Sequence, residues 1–118
     1  MSVPLHQVKA EFFRMLGHPV RIRVLELLQS GPLPVRDLLS DLGVEPSNLS
    51  QQLALLRHAG IVVSTRQGTT VVYALADGDI ADLLCSARRI LTALLADKER
   101  VLRQLRQAEA AVGASTSA

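Results

Sequence analysis

The sequence predicts a mainly α-helical protein with a small β-hairpin, arranged as a winged helix-turn-helix. Apolar residues recur at steps of three and four over most of the chain, as they do on the buried face of a helix. One stretch, IVVSTRQGTTVVYALA, is instead rich in β-branched residues around Gln67-Gly68, which is typical of a hairpin. A short apolar segment, a glycine and a longer apolar segment precede it, as in a helix-turn-helix.

Proline and glycine mark the ends of the predicted elements. Proline fits the first turn of a helix, and glycine allows the sharp turn that follows one. The predicted elements are helices from Pro4 to about Gly17, Pro19 to Gly31, Pro34 to Gly43 and Pro46 to Gly60, strands Ile61–Thr65 and Thr70–Leu75, and a helix from about Asp77 to about Ala108. We expect residues 1–108 to form one domain whose N- and C-terminal helices dimerise, and residues 109–118 to form a disordered tail.

Composition limits the class of protein. The chain has 118 residues, of which 48% are hydrophobic, with a mean hydropathy of +0.25. It contains neither an apolar run of the roughly 18 residues that a membrane helix needs nor a signal-peptide pattern. We therefore expect a cytoplasmic protein without a membrane partner, whose surplus apolar surface forms a subunit interface. No nucleophile with its base, P-loop or dinucleotide motif is present, so we do not expect an enzyme.

The fourth predicted helix, SNLSQQLALLRHAG, has an unusual outer face. At 100° per residue, Leu49, Leu53 and Leu56 point to one side, which must be buried. Short hydroxyl and amide side chains dominate the other sides of this helix. Such groups pair with base edges in the major groove. Helix capping is the alternative, but it explains only one such residue. The candidate DNA-binding residues of this helix are Ser47, Asn48, Ser50, Gln51, Gln52, Arg57 and His58.

The charge pattern supports a polyanionic partner. Net charge is only +2, but no Asp or Glu occurs between Pro46 and Ala76, whereas Arg57 and Arg66 do. Arg66 lies beside the hairpin turn, where an arginine can reach a phosphate or a narrow minor groove, and it is the last candidate DNA-binding residue. A solvated turn arginine is the alternative. Tyr73 lies in an apolar strand and is expected in the core.

Three motifs together resemble one family. HPVRIRVLELL, SNLSQQLALLRHAGIV and RQGTTVVYAL, in this order, are similar to segments of the ArsR-type winged helix-turn-helix repressors of bacteria. The resemblance covers about residues 8 to 96. It implies a dimer that binds an operator and releases it when an effector binds, with Ser47, Ser50 and Gln51 at positions that touch DNA. The effector is not identified by the sequence.

The resemblance also implies two possible metal sites, and neither is predicted in this chain. The thiolate positions at the start of the third helix align with Pro34 and Arg36. Asp77 and Asp79 match half of the terminal-helix site, but the other half aligns near Ile90 and Ala93, which have no ligand atoms. We expect Asp77 to cap the last helix instead. No metal or cofactor is predicted.

The last helix carries a wide apolar stripe that predicts a homodimer. The candidate interface residues are Ile80, Leu84, Ala87, Leu91 and Leu94, together with Phe12 and Leu16 of the first helix. A twofold axis would place two recognition helices about one DNA turn apart, on a pseudo-palindromic operator. Cys85, the single cysteine, flanks the stripe and is expected to be buried, with a redox thiol as the alternative.

A dimeric, sequence-specific repressor of double-stranded DNA is therefore the leading functional hypothesis. A winged-helix protein-interaction module is the alternative, since winged helices can bind proteins through the same surface. An acidic recognition helix would favour that alternative, and this helix contains no acidic residue.

Overall fold

The structure is a computed structural model that describes residues 2–116. It confirms the predicted helices and both hairpin strands. In chain order the elements are α1 (Leu5–Leu16), α2 (Pro19–Leu28), β1 (Leu33–Pro34), α3 (Val35–Leu42), α4 (Pro46–His58), β2 (Val62–Gln67), β3 (Thr70–Leu75) and α5 (Gly78–Thr116). None of the helices in the described part of the chain is long and apolar enough to cross a membrane.

The sheet has one strand more than predicted. Its three antiparallel strands lie in the order β1-β3-β2, and β1 adds only Leu33 and Pro34, which pair with Tyr73 and Val72. The sequence analysis predicted a two-stranded hairpin and missed β1, because a two-residue strand has no periodicity to detect. The pairing anchors the wing, defined here as β2, β3 and their turn, to the start of α3.

The core lies between α2, α3, α4 and the sheet. It is formed mostly by leucine and valine, and Tyr73 is buried among them as predicted. The buried side chains are Leu16, Val24, Leu25, Leu28, Leu38, Leu49, Leu53, Leu56, Ile61, Val62, Val72 and Tyr73.

The turn between α3 and α4 is set by Gly43. This glycine has φ +64°, in the left-handed region, and its N–H donates to the Leu39 carbonyl oxygen at 3.0 Å. A side chain is disfavoured in that conformation, so glycine ends α3 here at little conformational cost. The chain then reaches Pro46, the first residue of α4, within three residues.

The last helix begins where the sequence predicts and ends later. The Asp79 N–H donates to Asp77 Oδ1 at 2.8 Å, so Asp77 caps α5 as expected. The helix continues to Thr116 rather than ending near Ala108, and the predicted disordered tail is therefore helical as far as Thr116. Glu109 and the alanines at 110, 111 and 114 are good helix formers, which the prediction underweighted. Residues 117 and 118 of that predicted tail lie outside the described residues.

The chain divides into two compact units, Met1–Asp82 and Leu83–Ala118. The first unit contains the helix-turn-helix, the sheet and the first turn of α5. The second unit consists of the rest of α5.

Candidate nucleic-acid interface

One face of α4 is fixed in the core of the first unit. Leu49, Leu53 and Leu56 are almost completely buried, as the helical wheel predicts. Helix α4 packs against α2 and β2. Burial of three leucines contributes several kcal/mol, at about 2 kcal/mol for each side chain, and holds the orientation of the helix. The opposite face of α4 is therefore presented to solvent in a fixed direction.

The exposed face of α4 carries most of the predicted DNA-binding residues. The side chains of Ser47, Ser50, Gln51, Arg57 and His58 are exposed, and Asn48 is half-buried. Three of these, at positions 47, 50 and 51, lie in the first two turns of the helix. The structure thus groups hydroxyl and amide donors and acceptors at the N-terminal end of α4, where the free main-chain N–H groups also lie.

Capping does not explain these polar residues. Helix α4 begins at Pro46, and Glu45 occupies the N-cap position without a side-chain hydrogen bond among the described residues. Ser47 and Asn48 lie inside the first turn rather than at the cap.

Gln52 is a correction to the predicted site. Its side chain is only 8% exposed, so it cannot reach DNA directly. It lies three residues after Leu49 and four before Leu56, a spacing that places it on the buried face. This spacing was available in the sequence, but the polar side chain led to its assignment to the outer face. In the structure its Nε2 donates to Asn48 Oδ1 at 3.2 Å.

The wing places Arg66 on the surface near the hairpin turn. Arg66 lies in β2 opposite Val71, and the turn begins two residues later, at Gly68-Thr69. Gly68 has φ +65°, as the first central residue of a tight hairpin turn requires. Strand β2 extends to Gln67 rather than to the predicted Thr65, so Arg66 is held within the strand rather than in the loop.

The predicted dimer residues of the first unit differ in how exposed their side chains are. Phe12 is 40% exposed, and Leu5, Val8 and Phe13 of the same helix are also exposed. Leu16 is only 8% exposed, which corrects its assignment to the dimer interface. It lies at the end of α1, the helix that packs against α2, and it is buried within its own subunit. Ile80, at the start of α5, is half-buried.

The second unit carries an exposed apolar stripe. Leu91 and Leu94 are more than half exposed, Ala87 is exposed and Leu84 is half-buried. The stripe continues beyond the predicted residues through Val101, Leu102, Leu105 and Val112, which are all exposed. Cys85 is exposed in the single chain, contrary to the expectation of a buried thiol. It directly follows Leu84 of the stripe in sequence, but at 100° per residue it points to another side of α5.

The acidic residues that the structure describes form no metal site within the single chain. Within residues 2–116, no group of three or more His, Cys, Asp or Glu side chains is placed to hold a metal ion. Asp77 uses one carboxylate oxygen to cap α5.

Comparison with known proteins agrees with this geometry. The sequence profile of a family described as bacterial regulatory protein, arsR family, matches residues 18–64, which run from the start of α2 into β2. The HTH-type transcriptional regulator Rv0081 of Mycobacterium tuberculosis is 52% identical over 106 residues, 89% of this chain and 93% of that protein. NmtR, an HTH-type transcriptional regulator of the same organism, is 44% identical over 78 residues, 66% of this chain and 65% of NmtR.

Solved structures give the same result. The crystal structure of M. tuberculosis Rv0081 matches with a TM-score of 0.77, over 82% of this chain and 98% of that chain. The solution structure of Mb0332 from Mycobacterium bovis, described as a homodimeric winged helix-turn-helix DNA-binding domain, matches with a TM-score of 0.69 at 28% identity. This match covers 77% of the present chain and 83% of the Mb0332 chain.

A short helix, a glycine turn, an exposed polar helix and a β-wing together form a winged helix-turn-helix, and its relatives in sequence are regulators of transcription. Such a protein acts by binding DNA and is not an enzyme. The chain belongs to the ArsR family of bacterial regulatory proteins.

Proposed function

We propose that this protein is a homodimeric repressor that binds a pseudo-palindromic DNA operator with α4 in the major groove. The exposed N-terminal half of α4 is the observation that carries the proposal. Ser47, Ser50 and Gln51 offer hydroxyl and amide groups to base edges, and the buried leucines fix the direction in which they point. The absence of Asp and Glu from Pro46 to Ala76 avoids repulsion by phosphates.

The wing supplies the second contact. Arg66 is exposed on β2, next to a tight turn that could approach the DNA backbone or minor groove. Its contact with a phosphate would add affinity for any sequence, whereas contacts from α4 would distinguish between sequences.

The exposed apolar residues support the homodimer. Side chains such as Phe12, Leu91 and Leu94 would be an aggregation hazard on a monomer. Mb0332, a structural neighbour, is described as homodimeric, and a relative in Synechocystis that is 39% identical over 83 residues is named a transcriptional repressor SmtB homolog. Two copies would present two α4 helices about one DNA turn, roughly 34 Å, apart. A regulator of this kind acts where the DNA lies, so the proposed place of action is the cytoplasm.

We propose that an effector releases the protein from the operator. We propose that it is not a metal bound at either of the usual family sites, because Pro34, Arg36, Ile90 and Ala93 have no ligand side chains at the matching positions.

Binding to DNA from the region upstream of the protein's own gene tests the proposal. In a gel-shift assay, a duplex from that region should bind at least about 10³-fold more tightly than a scrambled duplex of equal length. Equal affinity for both duplexes, and for every other upstream fragment tried, would favour the protein-interaction module instead.

A further inference from the structure

The buried amide of Gln52 is the least expected feature of α4. Apart from Tyr73, with its hydroxyl, it is the only buried residue with a polar side chain among the described residues. Its Nε2 donates to Asn48 Oδ1 at 3.2 Å, and its Oε1 is buried with no hydrogen-bond partner among the described residues. A buried carbonyl without a donor lowers stability, whereas leucine or methionine would fill the same space without that penalty. Packing alone therefore does not explain a glutamine at this position.

The contact fixes the orientation of the Asn48 amide. An asparagine side chain has one acceptor atom, Oδ1, with two lone pairs, and one donor group, the Nδ2 amide hydrogens. Because the amide is planar and Oδ1 is engaged by Gln52, the Nδ2 group is turned away from Gln52. Asn48 is half-buried and belongs to the first turn of α4, next to the exposed Ser47.

A fixed amide has a restricted base preference. A freely rotating asparagine can pair with adenine through two bonds, accepting from N6 and donating to N7. That two-bond contact needs Oδ1 and Nδ2 to face the same base, and here Oδ1 faces the buried Gln52 instead. Donation from Nδ2 remains, and the acceptors available to it in the major groove are N7 and O6 of guanine, N7 of adenine and O4 of thymine. Adenine then loses its second bond.

We propose that Gln52 is a positioning residue that holds Asn48 as a hydrogen-bond donor and so sets the base preference of α4 at one position of each half-site. This inference rests on the proposed function, because it assumes that α4 reads DNA. Gln52 itself does not touch the DNA. Its effect on binding passes entirely through Asn48.

A helix-stabilising role is the competing explanation, because side-chain pairs four residues apart support helices without any partner. That role predicts a change in stability with no change in base preference. Base preference is therefore the decisive measurement.

Selection from a pool of random DNA duplexes measures base preference and does not require the operator to be identified first. The test variant is Gln52→Met, which preserves the length of the side chain and removes its amide. The matched control is Gln29→Met, which removes a side-chain hydrogen bond of the same length, from Gln29 Nε2 to the Ala81 carbonyl oxygen, far from α4 in sequence. Wild type and Gln29→Met should select the same sequences.

Gln52→Met should select a different base at one position in each half-site. The frequency of adenine relative to guanine and thymine should rise there by about tenfold, because Asn48 regains its second bond to adenine. In the Asn48→Ala background, Gln52→Met should have no further effect. Identical preferences in wild type and Gln52→Met, or a shift that persists without Asn48, would overturn the inference. If wild type itself enriches no sequence, the proposed function fails instead.

A second measurement needs no DNA and no change at Gln52. In ¹⁵N-labelled wild-type protein, the side-chain amide protons of Gln52 should exchange with water at least about tenfold more slowly than those of the exposed Gln51. Asn48→Ala should speed the exchange of the Gln52 amide. Equal rates for Gln51 and Gln52 in the wild-type protein would contradict the contact and with it the inference, even if Gln52→Met failed to fold.

Discussion

The main-chain N–H of Ile61 donates to the carbonyl oxygen of Leu56 at 3.0 Å, and this bond joins the end of α4 to the start of the wing. The N–H of Gly60 donates to the Arg57 carbonyl oxygen, also at 3.0 Å, and Gly60 has φ +76°. These two bonds form a Schellman motif. Leu56 and Ile61 are both buried, so the motif fixes the angle at which the chain leaves α4.

Replacing Gly60 should therefore weaken the first unit. Gly60→Ala would place a side chain on a left-handed residue, and we expect the free energy of unfolding to fall by about 1–2 kcal/mol. Urea denaturation measures the loss. Gly78→Ala is the matched control, because Gly78 begins α5 without a positive φ and an added methyl group would meet no atom within 4 Å. Equal stability of Gly60→Ala and wild type would contradict the role assigned to this glycine.

Gln51 should matter for specific DNA binding. If its amide makes a two-bond contact with a base, Gln51→Ala should weaken operator binding by about 1–3 kcal/mol and leave nonspecific binding nearly unchanged. Fluorescence anisotropy with specific and scrambled duplexes separates the two effects. Gln7→Ala, which removes an exposed amide from α1, is the control. Unchanged operator affinity for both Gln51→Ala and Ser47→Ala would exclude α4 as the reading helix.

Arg66 should act on all sequences alike. Removing one phosphate contact lowers the slope of log affinity against log salt by about 1, so Arg66→Ala should weaken specific and nonspecific binding similarly. The measurement is a salt titration from about 50 to 200 mM. Arg23→Ala is the control. Arg23 is an exposed arginine on α2, and its Nη1 lies 3.9 Å from Oε1 of Glu26. A slope that matches that of wild type would place Arg66 away from any phosphate.

Leu91 should be required for the dimer and not for the fold of the subunit. Its side chain is 56% exposed in the single chain, so an aspartate there is tolerated by a monomer but would be buried without a partner in a dimer. We expect Leu91→Asp to be a folded monomer in sedimentation experiments and to lose operator binding.

Ala96→Asp is the matched control for the dimer prediction. At 100° per residue, Ala96 lies on the side of α5 opposite the apolar stripe, so a carboxylate there should leave the dimer intact. A wild-type protein that sediments as a monomer at micromolar concentration would refute the dimer proposal. Full operator affinity in a monomeric Leu91→Asp variant would show that dimerisation is not needed for binding.

The sequence by itself determined every helix and the hairpin. These elements depend on local features: apolar spacing, proline at helix starts, glycine at helix ends and β-branched residues in the strands. The same local reasoning identified Asp77 as the cap of α5 and placed Leu49 on the buried face of α4. The prediction ended α5 too early. It gave the small and polar character of the residues after Ala108 more weight than the helix propensity of the alanines and the glutamate among them.

Tertiary structure decided which of several equivalent positions are buried. Leu16 and Phe12 belong to one apolar stripe on α1, yet only Leu16 is buried, because burial depends on where a neighbouring helix crosses. Strand β1 exists only because β3 lies beside Leu33 and Pro34. Gln52 has a polar side chain at a core position, and only the packed structure shows that its amide is turned towards Asn48. Periodicity gives the direction of a side chain, whereas burial requires a second element across from it.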